Sequence, residues 1–343
     1  MKILMTGGTG FLGKELVEIL APHCEKLFLL CRRPSRRLEA EYSKFSSVVL
    51  VKGDISSPDI IEDAGLSKEI RESVDTIFHG AAYYDIEGPY SSCFMYNVVG
   101  TQNVLYLANN CEKLKHIHYV STIAVAGSYS GIFNEEQLSE GQKFNNHYAK
   151  TKYDAELMIR NYRFSGSVQI YRLGILIGDS VTGKMSKVDG PYYFFKLLNK
   201  VYKEKAKINL LKYLPLPYDE KATMPLMPVD NAAEILKEGV LNPKDEGVSC
   251  YHVIAKDPPL VRVFVEKSLK TFGLNLSLIA LPKSPLYKFI LPKIGLPSEL
   301  LLYMYGSCVY DTSSLERDFE KNKIASYSEY SENFYSYGRR MFE

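Results

Sequence analysis

Tyr148 and Lys152 are the two residues whose types and spacing first suggest chemistry in this sequence. Residues four apart in a helix lie on one face, so the phenol and the ammonium would be neighbours. A neighbouring ammonium favours the tyrosinate and lowers the pKa of the phenol from its free value of about 10, so that it can donate a proton near neutral pH. Upstream, residues 119–127 (YVSTIAVAG) carry hydroxyl groups that can hydrogen-bond a carbonyl oxygen as it gains negative charge.

A glycine-rich turn occupies residues 6–13, which read TGGTGFLG. Gly7, Gly10 and Gly13 allow a tight turn, close approach of the backbone to a pyrophosphate, and close packing of a helix against a strand. The phosphates would lie at the N-terminus of that helix, where unpaired N–H groups and the helix dipole favour anions. Because the turn follows an apolar run and precedes an amphipathic helix, it predicts a dinucleotide site; a turn without any ligand is the alternative.

The end of the second predicted strand indicates which dinucleotide binds. A carboxylate at this place binds a ribose 2′-hydroxyl, whereas an arginine accommodates a 2′-phosphate. The sequence has Arg32 and Arg33 directly after Cys31, and the next acid is Glu39. We therefore expect NADP(H), with Arg32 or Arg33 holding the phosphate through its planar guanidinium group. A solvated basic loop is the alternative interpretation.

Short apolar runs alternate with helical patterns over the first half of the chain. The predicted strands cover residues 3–5, 26–31, 48–51, 76–78, 116–120 and 167–173, and the predicted helices cover 14–20, 97–109 and 148–162. Strands that alternate with helices pair in parallel through right-handed crossovers. The fold class is therefore predicted to be α/β, with a doubly wound parallel Rossmann sheet.

The alternation of strands and helices stops after the sixth predicted strand, and the chain becomes rich in Tyr, Phe and Lys. A strand and a helix in the earlier style return at residues 226–254. We therefore predict an NADP-binding Rossmann domain of residues 1–183 that includes this return. A smaller, discontinuous substrate-binding domain would combine residues 184–225 with residues 255–343.

Composition excludes several classes of protein. The 343 residues are 46% hydrophobic and 24% charged, which is typical of a soluble globular protein and excludes disordered, collagen-like and disulfide-stapled chains. The net charge of +2 gives no reason to expect a nucleic acid as partner. Six scattered cysteines, without a secretory leader, predict free thiols and a cytoplasmic location. We expect no metal, because the histidines lack ligand spacing, and no transmembrane helix.

Seven motifs together carry a family resemblance. They are TGGTGFLG at 6–13, GDISSP at 53–58, VDTIFHGAA at 74–82, NVVGTQNVL at 97–105, YVSTIAVAG at 119–127, YAKTK at 148–152 and YRLGILIGDSVTG at 171–183. With these motifs the sequence resembles the extended short-chain dehydrogenase/reductases. It looks closest to the branch that holds thioester reductase domains and fatty acyl-CoA reductases. The likeness covers about residues 1–185 and 226–241.

The resemblance implies roles for individual residues. It places the catalytic hydroxyl on Thr122, the proton donor on Tyr148 and the cofactor-orienting lysine on Lys152. It also implies that Asp54 meets the adenine amino group and that Asn97 opens the helix behind the site. The predicted cofactor contacts are Gly7, Thr9, Gly10, Phe11, Leu12, Gly13, Arg32, Arg33, Asp54, Ile55, Ala81, Ala82, Asn97, Ser121, Tyr148, Lys152, Leu173 and Ile175.

Two segments of the second half are open to more than one interpretation. Between residues 196 and 212 the sequence has six lysines against one acid, Glu204. Such a face could attract an acidic acyl carrier protein or the phosphates of CoA, or it could simply be solvated. The apolar segment 276–305 could pack as core or lid, line an acyl pocket, or touch a membrane surface as a peripheral contact. A dimer of two copies of the chain is suggested by analogy alone.

We therefore expect an NADPH-dependent reductase that transfers hydride to a carbonyl held by Tyr148 and Thr122. The resemblance favours an acyl thioester, on CoA or on a carrier, as substrate. Its thiol, with a pKa of about 8.5, is a feasible leaving group, so an aldehyde results and, after a second hydride, an alcohol. An NADP-dependent dehydrogenase of a secondary alcohol or ketone, sterol-like or sugar-derived, is the first alternative because it uses the same residues. A non-catalytic NADP(H)-binding sensor is the second.

Overall fold

The structure is a computed structural model that describes residues 1–85, 88–294, 296, 298, 301–319 and 324–343. The strands are Lys2–Thr6 (β1), Lys26–Cys31 (β2), Val48–Lys52 (β3), Thr76–His79 (β4), His116–Thr122 (β5), Gly131–Phe133 (β6), Ser167–Leu173 (β7), Ile175–Ile177 (β8), Tyr213–Pro217 (β9), Leu226–Pro228 (β10), Gly247–Val253 (β11), Ser277–Leu281 (β12) and Cys308–Tyr310 (β13). The helices are Phe11–Leu20 (α1), Arg36–Tyr42 (α2), Ala64–Ser73 (α3), Tyr90–Cys93 (α4), Gly100–Asn109 (α5), His147–Arg160 (α6), Tyr192–Tyr202 (α7), Lys205–Ile208 (α8), Val229–Leu241 (α9), Val261–Thr271 (α10), Tyr287–Ile290 (α11), Leu301–Met304 (α12), Ser313–Asp318 (α13) and Tyr327–Arg340 (α14).

The main sheet has the strand order β11-β7-β5-β4-β1-β2-β3, and each neighbouring pair is parallel. The predicted doubly wound Rossmann sheet is therefore confirmed. The order reverses between β1 and β4, and in open α/β sheets ligands bind at the carboxyl ends of the strands beside such a reversal. All seven residues of β7 are buried because helices cover both faces of the sheet, and the buried residues include the polar Ser167, Gln169 and Arg172.

The helix that was predicted to open at Asn97 begins seven residues earlier, at Tyr90, so that prediction is wrong. After α4 the chain forms a π-helical segment, Phe94–Val99, and then continues as α5. A π-helical turn is wider than an α-helical turn, so the 3.6-residue spacing of apolar residues is lost across it. Asn97 consequently lies inside a continuous helix, and the sequence pattern detects only the part that follows.

Apolar side chains cover the two faces of the main sheet in separate clusters. One cluster joins α1 and α9 to the sheet, and the other joins α3, α5 and α6 to its opposite face. A third cluster, beside the sheet, is built by α7, α10 and α14 around Phe195, Phe264 and Phe334. Three helices that share this aromatic core bring the second half of the chain against the carboxyl edge of the sheet.

We propose the predicted two-domain division with one adjustment. The third cluster gathers residues from 177–226 and from 255 onward, which supports a discontinuous second unit. However, β13 pairs with β6, and Leu315 of α13 is buried in the cluster that α1 and α9 build on the sheet. We therefore place residues 308–319 with the Rossmann unit. Within the described part of the chain, no helix combines the length and the apolar character that crossing a membrane requires.

Candidate active site

The glycine-rich turn packs directly against the end of β4. Gly7 has a φ of +81°, and a Cβ there would lie 2.5 Å from the carbonyl carbon of Gly80. A Cβ on Gly13 would lie 2.2 Å from the Gly7 oxygen. Only glycine fits at either place, because the opposing atoms belong to the backbone. Gly10 caps α1 without a side-chain hydrogen bond, so N–H groups of the first turn are free to meet an anion.

A buried polar chain fixes this turn beside β4. The Thr6 hydroxyl lies 2.7 Å from Nδ1 of His79 and accepts the N–H of Ala81 at 3.1 Å. Nε2 of His79 lies 3.0 Å from the hydroxyl of Thr101. Burial lowers the pKa of His79 to about 3, so the ring is neutral and one nitrogen can accept a hydrogen bond. The motif VDTIFHGAA contained His79, but its spacing alone did not indicate this role.

Arg32 and Arg33 leave β2 at the same edge and are both exposed. The Arg32 guanidinium lies over the ring of Tyr96, 5.1 Å from its centroid. Asp54, after β3, accepts hydrogen bonds from the backbone and hydroxyl of Ser56 at 2.9 and 2.8 Å. The three predicted nucleotide contacts therefore follow neighbouring strands, and their contact with a nucleotide stays a prediction.

The side chain of Asn97 is occupied by protein contacts. Its amide oxygen accepts the N–H of Tyr83 at 2.7 Å, and its amide nitrogen donates to the carbonyl of the same residue and to the Thr151 hydroxyl. Asn97 thereby ties the segment after β4 to α6. Its contact with a cofactor stays a prediction, and the observed bonds give the side chain a positioning role.

Helix α6 presents Tyr148, Lys152 and Glu156 as one stripe of residues four apart. The helix begins where the side chain of Asn146 accepts the N–H of Ala149 at 2.7 Å. Lys152 is buried, and its ammonium donates to the hydroxyl of Tyr119 and to the carbonyl of Val120, each at 2.7 Å. Burial lowers the pKa of Lys152 to about 7, against the opposing charge of Glu156.

Tyr148 lies at the wall of a cavity of about 270 Å³. Its ring and the ring of Tyr84 are perpendicular, with centroids 5.0 Å apart. Thr122 lines the same cavity and accepts the N–H of Ala124 at 3.2 Å. Lys152 lines it as well, so the three predicted catalytic residues meet at one cavity above the carboxyl ends of β5 and β7.

The cavity gathers about half of the predicted site residues and several that the sequence did not indicate. The predicted ones are Phe11, Leu12, Ala82, Ser121, Thr122, Tyr148, Lys152, Leu173 and Ile175. Its lining does not include the other predicted residues, whose contact with a cofactor stays a prediction: Gly7, Thr9, Gly10, Gly13, Arg32, Arg33, Asp54, Ile55, Ala81 and Asn97. The unforeseen lining includes Tyr84, Tyr129, Lys187 and Asp189, which come from loops with no repeating pattern, and Tyr310, the last residue of the short strand β13.

Ser121 lines the cavity, but its hydroxyl is engaged by a buried carboxylate. Its hydroxyl donates to Glu156 at 2.5 Å, and the side chain is buried. Glu156 in turn is paired with Arg172 and Arg160. This buried group was missed from the sequence, although Glu156 follows Lys152 by one helical turn. A cofactor contact of Ser121 stays a prediction.

Comparison with known proteins gives consistent likenesses. Residues 5–236 match the NAD-binding family model described as "Male sterility protein". Over 206 residues the chain is 30% identical to a linear gramicidin synthase from Brevibacillus parabrevis, in a match that covers 54% of this chain and 4% of that protein. Over 171 residues it is 30% identical to the alcohol-forming fatty acyl-CoA reductase of Simmondsia chinensis, in a match that covers 42% of this chain and 35% of that protein. The match therefore spans about a third or less of these relatives.

Solved structures share the fold. The terminal R domain from the myxalamid PKS-NRPS biosynthetic pathway superposes with a TM-score of 0.76 at 23% identity, over 100% of this chain and 91% of that chain. MoeE5 in complex with UDP-glucose and NAD superposes with a TM-score of 0.67 at 17% identity, over the whole of both chains. Identities this low establish the common architecture and nothing finer.

Proposed function

Because this chain belongs to the male sterility protein family, we propose that it is an oxidoreductase that reduces a carbonyl group with a nicotinamide dinucleotide. The family match spans residues 5–236, and the resemblance to the reductase branch of the extended short-chain dehydrogenase/reductases is confirmed. The observation that carries the proposal is the meeting of Thr122, Tyr148 and Lys152 at one cavity beside the glycine-rich turn.

The glycine-rich turn fits a dinucleotide. Gly7 and Gly13 have no room for a Cβ, so the backbone forms a smooth surface at the reversal of strand order. The free N–H groups at the start of α1 supply the positive end of a helix to a pyrophosphate. Phe11 and Leu12, from the first turn of the same helix, reach the cavity that holds Tyr148. A dinucleotide on this turn would therefore extend toward the proposed catalytic residues.

The proposed chemistry assigns one task to each catalytic residue. When bound, the dinucleotide supplies the hydride to the carbonyl carbon. The Tyr148 phenol protonates the carbonyl oxygen, and the Thr122 hydroxyl donates a hydrogen bond to it as it gains charge. The ammonium of Lys152, one helical turn from Tyr148, stabilises the charge that remains on the phenol oxygen. Burial of Lys152 strengthens this effect because little water screens its charge.

We propose NADP(H) as the form of the dinucleotide. Arg32 and Arg33 stand at the end of β2, where a carboxylate would select the unphosphorylated ribose. The Arg32 guanidinium is held over the ring of Tyr96, which leaves its edge free to meet a phosphate. Asp54 follows the next strand, β3, by two residues and is proposed to meet the adenine.

The proposed substrate is an acyl thioester carried by CoA or by a carrier protein. Relatives named as an alcohol-forming fatty acyl-CoA reductase and as a linear gramicidin synthase support this class of substrate. After hydride transfer, the tetrahedral adduct of a thioester expels a thiol, whose pKa of about 8.5 makes it a good leaving group. The product is an aldehyde, which a second hydride converts to an alcohol.

A substrate panel tests the proposal. Oxidation of NADPH is measured with a long-chain acyl-CoA, with an acyl-loaded carrier protein and with a set of sterol-like and sugar-derived ketones. Turnover of the thioesters with release of free thiol supports the proposal. Turnover of ketones alone overturns the thioester assignment and leaves a ketone reductase. Binding of NADPH without any turnover overturns the enzymatic assignment and favours a sensor.

A further inference from the structure

A group of large apolar side chains stands in solvent on the second half of the chain. Leu210 is 81% exposed, Phe289 is 70% exposed and Leu286 is 63% exposed. The complete group is Leu210, Leu211, Tyr213, Ile279, Leu286, Phe289, Ile290 and Ile294. We call it the apolar face. Monomeric soluble proteins seldom expose so many large apolar residues together, unless the surface binds something.

The segments that carry the apolar face belong to one continuous piece of structure. β9 and β12 pair in parallel, with Tyr213 opposite Ser277 and Pro215 opposite Ile279. Just before them, the N–H of Ser277 donates to the carbonyl of Lys212 at 3.0 Å. β12 leads into α11 through a short turn. The apolar residues before β9, on the strands and on α11 are therefore neighbours on one surface.

The orientation of these elements is set by the aromatic core beneath them. On the two strands, Leu214 and Leu278 pack against that core, so the alternating residues Tyr213 and Ile279 point to the opposite side. On α11, Tyr287 packs against the same core, and the neighbouring side chains of Leu286, Phe289 and Ile290 are exposed. Each element has its inward face filled already, so the apolar face is exposed among the residues that the structure describes.

Lysines surround the apolar face. Lys203, Lys212, Lys283, Lys288 and Lys293 are exposed and form no ion pair with any other described residue. Glu204, the one acid of this stretch, is paired with Lys207 at 2.7 Å. The sequence has no Asp or Glu between residues 276 and 298. These segments therefore carry an excess of positive charge, and none of the five lysines is neutralised by an ion pair with another described residue.

We infer that the apolar face docks the protein on a bilayer that contains anionic phospholipid. Lysine ammonium groups meet lipid phosphates at the depth where Leu, Phe and Ile side chains enter the boundary between headgroups and acyl chains. Pro282, Pro285 and Pro292 interrupt the segment, so it enters shallowly through a strand edge and a short helix rather than as one long amphipathic helix. The contact is peripheral, and the inference rests on no step of the proposed reaction.

An acidic carrier protein fits this surface less well. A carrier protein would bind the lysines through their charge. It would bury the most exposed residues, Leu210, Phe289 and Leu286, only where its own surface matched their shape. A fluid bilayer accepts all eight apolar side chains without a matching shape. Both the charge and the apolar protrusions are therefore explained by lipid.

Co-sedimentation with vesicles tests the inference with the full chain. The two vesicle preparations contain phosphatidylcholine alone and phosphatidylcholine with phosphatidylglycerol. We expect the bound fraction to be about tenfold higher on the anionic vesicles and to fall as salt is raised. Leu286→Ser with Phe289→Ser should lower binding at every salt concentration, whereas Lys283→Glu with Lys288→Glu should lower it most at low salt.

Matched controls separate docking from a general effect of apolar or basic residues. Val181→Ser removes an equally exposed apolar side chain elsewhere on the surface, and Lys68→Glu reverses an exposed lysine on α3; both should bind vesicles like the parent. Equal binding to the two vesicle types, or loss of binding in the control variants to the same extent, overturns the inference. Two other results would also overturn the inference. The first is that the protein binds an acidic carrier protein in the absence of lipid. The second is that the protein binds no vesicles and instead forms a dimer that Phe289→Ser dissociates.

Discussion

Glu156 of α6 and Arg172 of β7 form an ion pair in which neither side chain has exposed surface. Nε and Nη2 of Arg172 donate to the carboxylate at distances of 2.7 to 3.2 Å. The same carboxylate accepts the Ser121 hydroxyl of β5 and Nε of Arg160. Burial alone would raise the pKa of Glu156, but the two arginines hold it below its usual value. The pair therefore fixes the helix of Tyr148 to the strands that end at the cavity.

Replacement of Glu156 by Gln should destabilise the fold strongly. The variant leaves the Arg172 guanidinium charged and buried without its counter-ion, and breaking a buried pair in this way costs about 3–5 kcal/mol. Denaturant unfolding at neutral pH measures the loss. Asp154→Asn removes an exposed ion pair with Lys150 on the same helix, and we expect it to change stability by less than about 1 kcal/mol. Equal effects of the two substitutions would contradict the prediction.

The stability of the cofactor-free protein should depend on the protonation of Lys152. Its folded-state pKa of about 7 lies below the unfolded value of about 10.4, so the unfolded chain binds the extra proton between these pH values. Burial of the ammonium therefore costs stability below pH 7, and this cost disappears as pH rises toward 10.

Lys152→Met removes this titration. The unfolding free energy of the variant minus that of the parent should be largest near pH 6 and should fall by roughly 1 kcal/mol per pH unit between pH 7 and pH 10. Both proteins contain the same buried Cys and Tyr groups. The titration of these groups therefore cancels when the two unfolding free energies are subtracted. Lys150→Met, on the exposed side of the same helix, serves as the control. Parallel pH profiles for the parent and Lys152→Met would refute the argument.

Tyr148→Phe should abolish most of the turnover while NADPH still binds. The variant keeps the ring that packs on Tyr84 and removes the oxygen that is proposed to protonate the substrate. Loss of a positioned proton donor lowers kcat by about 10²–10⁴-fold. Steady-state kinetics and fluorescence titration of NADPH measure the two effects separately. Tyr153→Phe, which removes a hydroxyl bonded to Ser139 on another side of α6, should retain parental turnover.

Arg32→Asp combined with Arg33→Ala should reverse the preference for the phosphorylated dinucleotide. Loss of a charge-assisted hydrogen bond lowers affinity by about tenfold to a hundredfold, and the new carboxylate can accept the ribose hydroxyl of NADH. The ratio of kcat/KM for NADPH and NADH reports the change. Arg36→Ala with Arg37→Ala, in α2, is the control for basic charge nearby. An unchanged ratio in the first variant would remove the assignment of NADP(H).

The sequence motifs predict the features of this protein that depend on residues close together in the chain. β2 and β7 have the predicted bounds. In β2 the bounds follow from a continuous apolar run, because a parallel strand inside the sheet is buried on both faces, whereas β7 also buries Gln169 and Arg172. The glycine-rich turn is equally local: its spacing reflects contacts between residues that are near in the chain, as the overlap of a Gly13 Cβ with Gly7 illustrates. The four-residue spacing of Tyr148 and Lys152 follows from helix geometry alone.

The tertiary structure decided what those residues touch. The spacing predicted Lys152 beside Tyr148, yet its ammonium donates to Tyr119 and Val120, because β5 lies under α6. Glu156 meets Arg172 only because β7 is the neighbour of β5 in the sheet. No local sequence pattern specifies the order of the strands. Side-chain partners that are distant in sequence depend on packing of whole elements, which is a property of the complete fold.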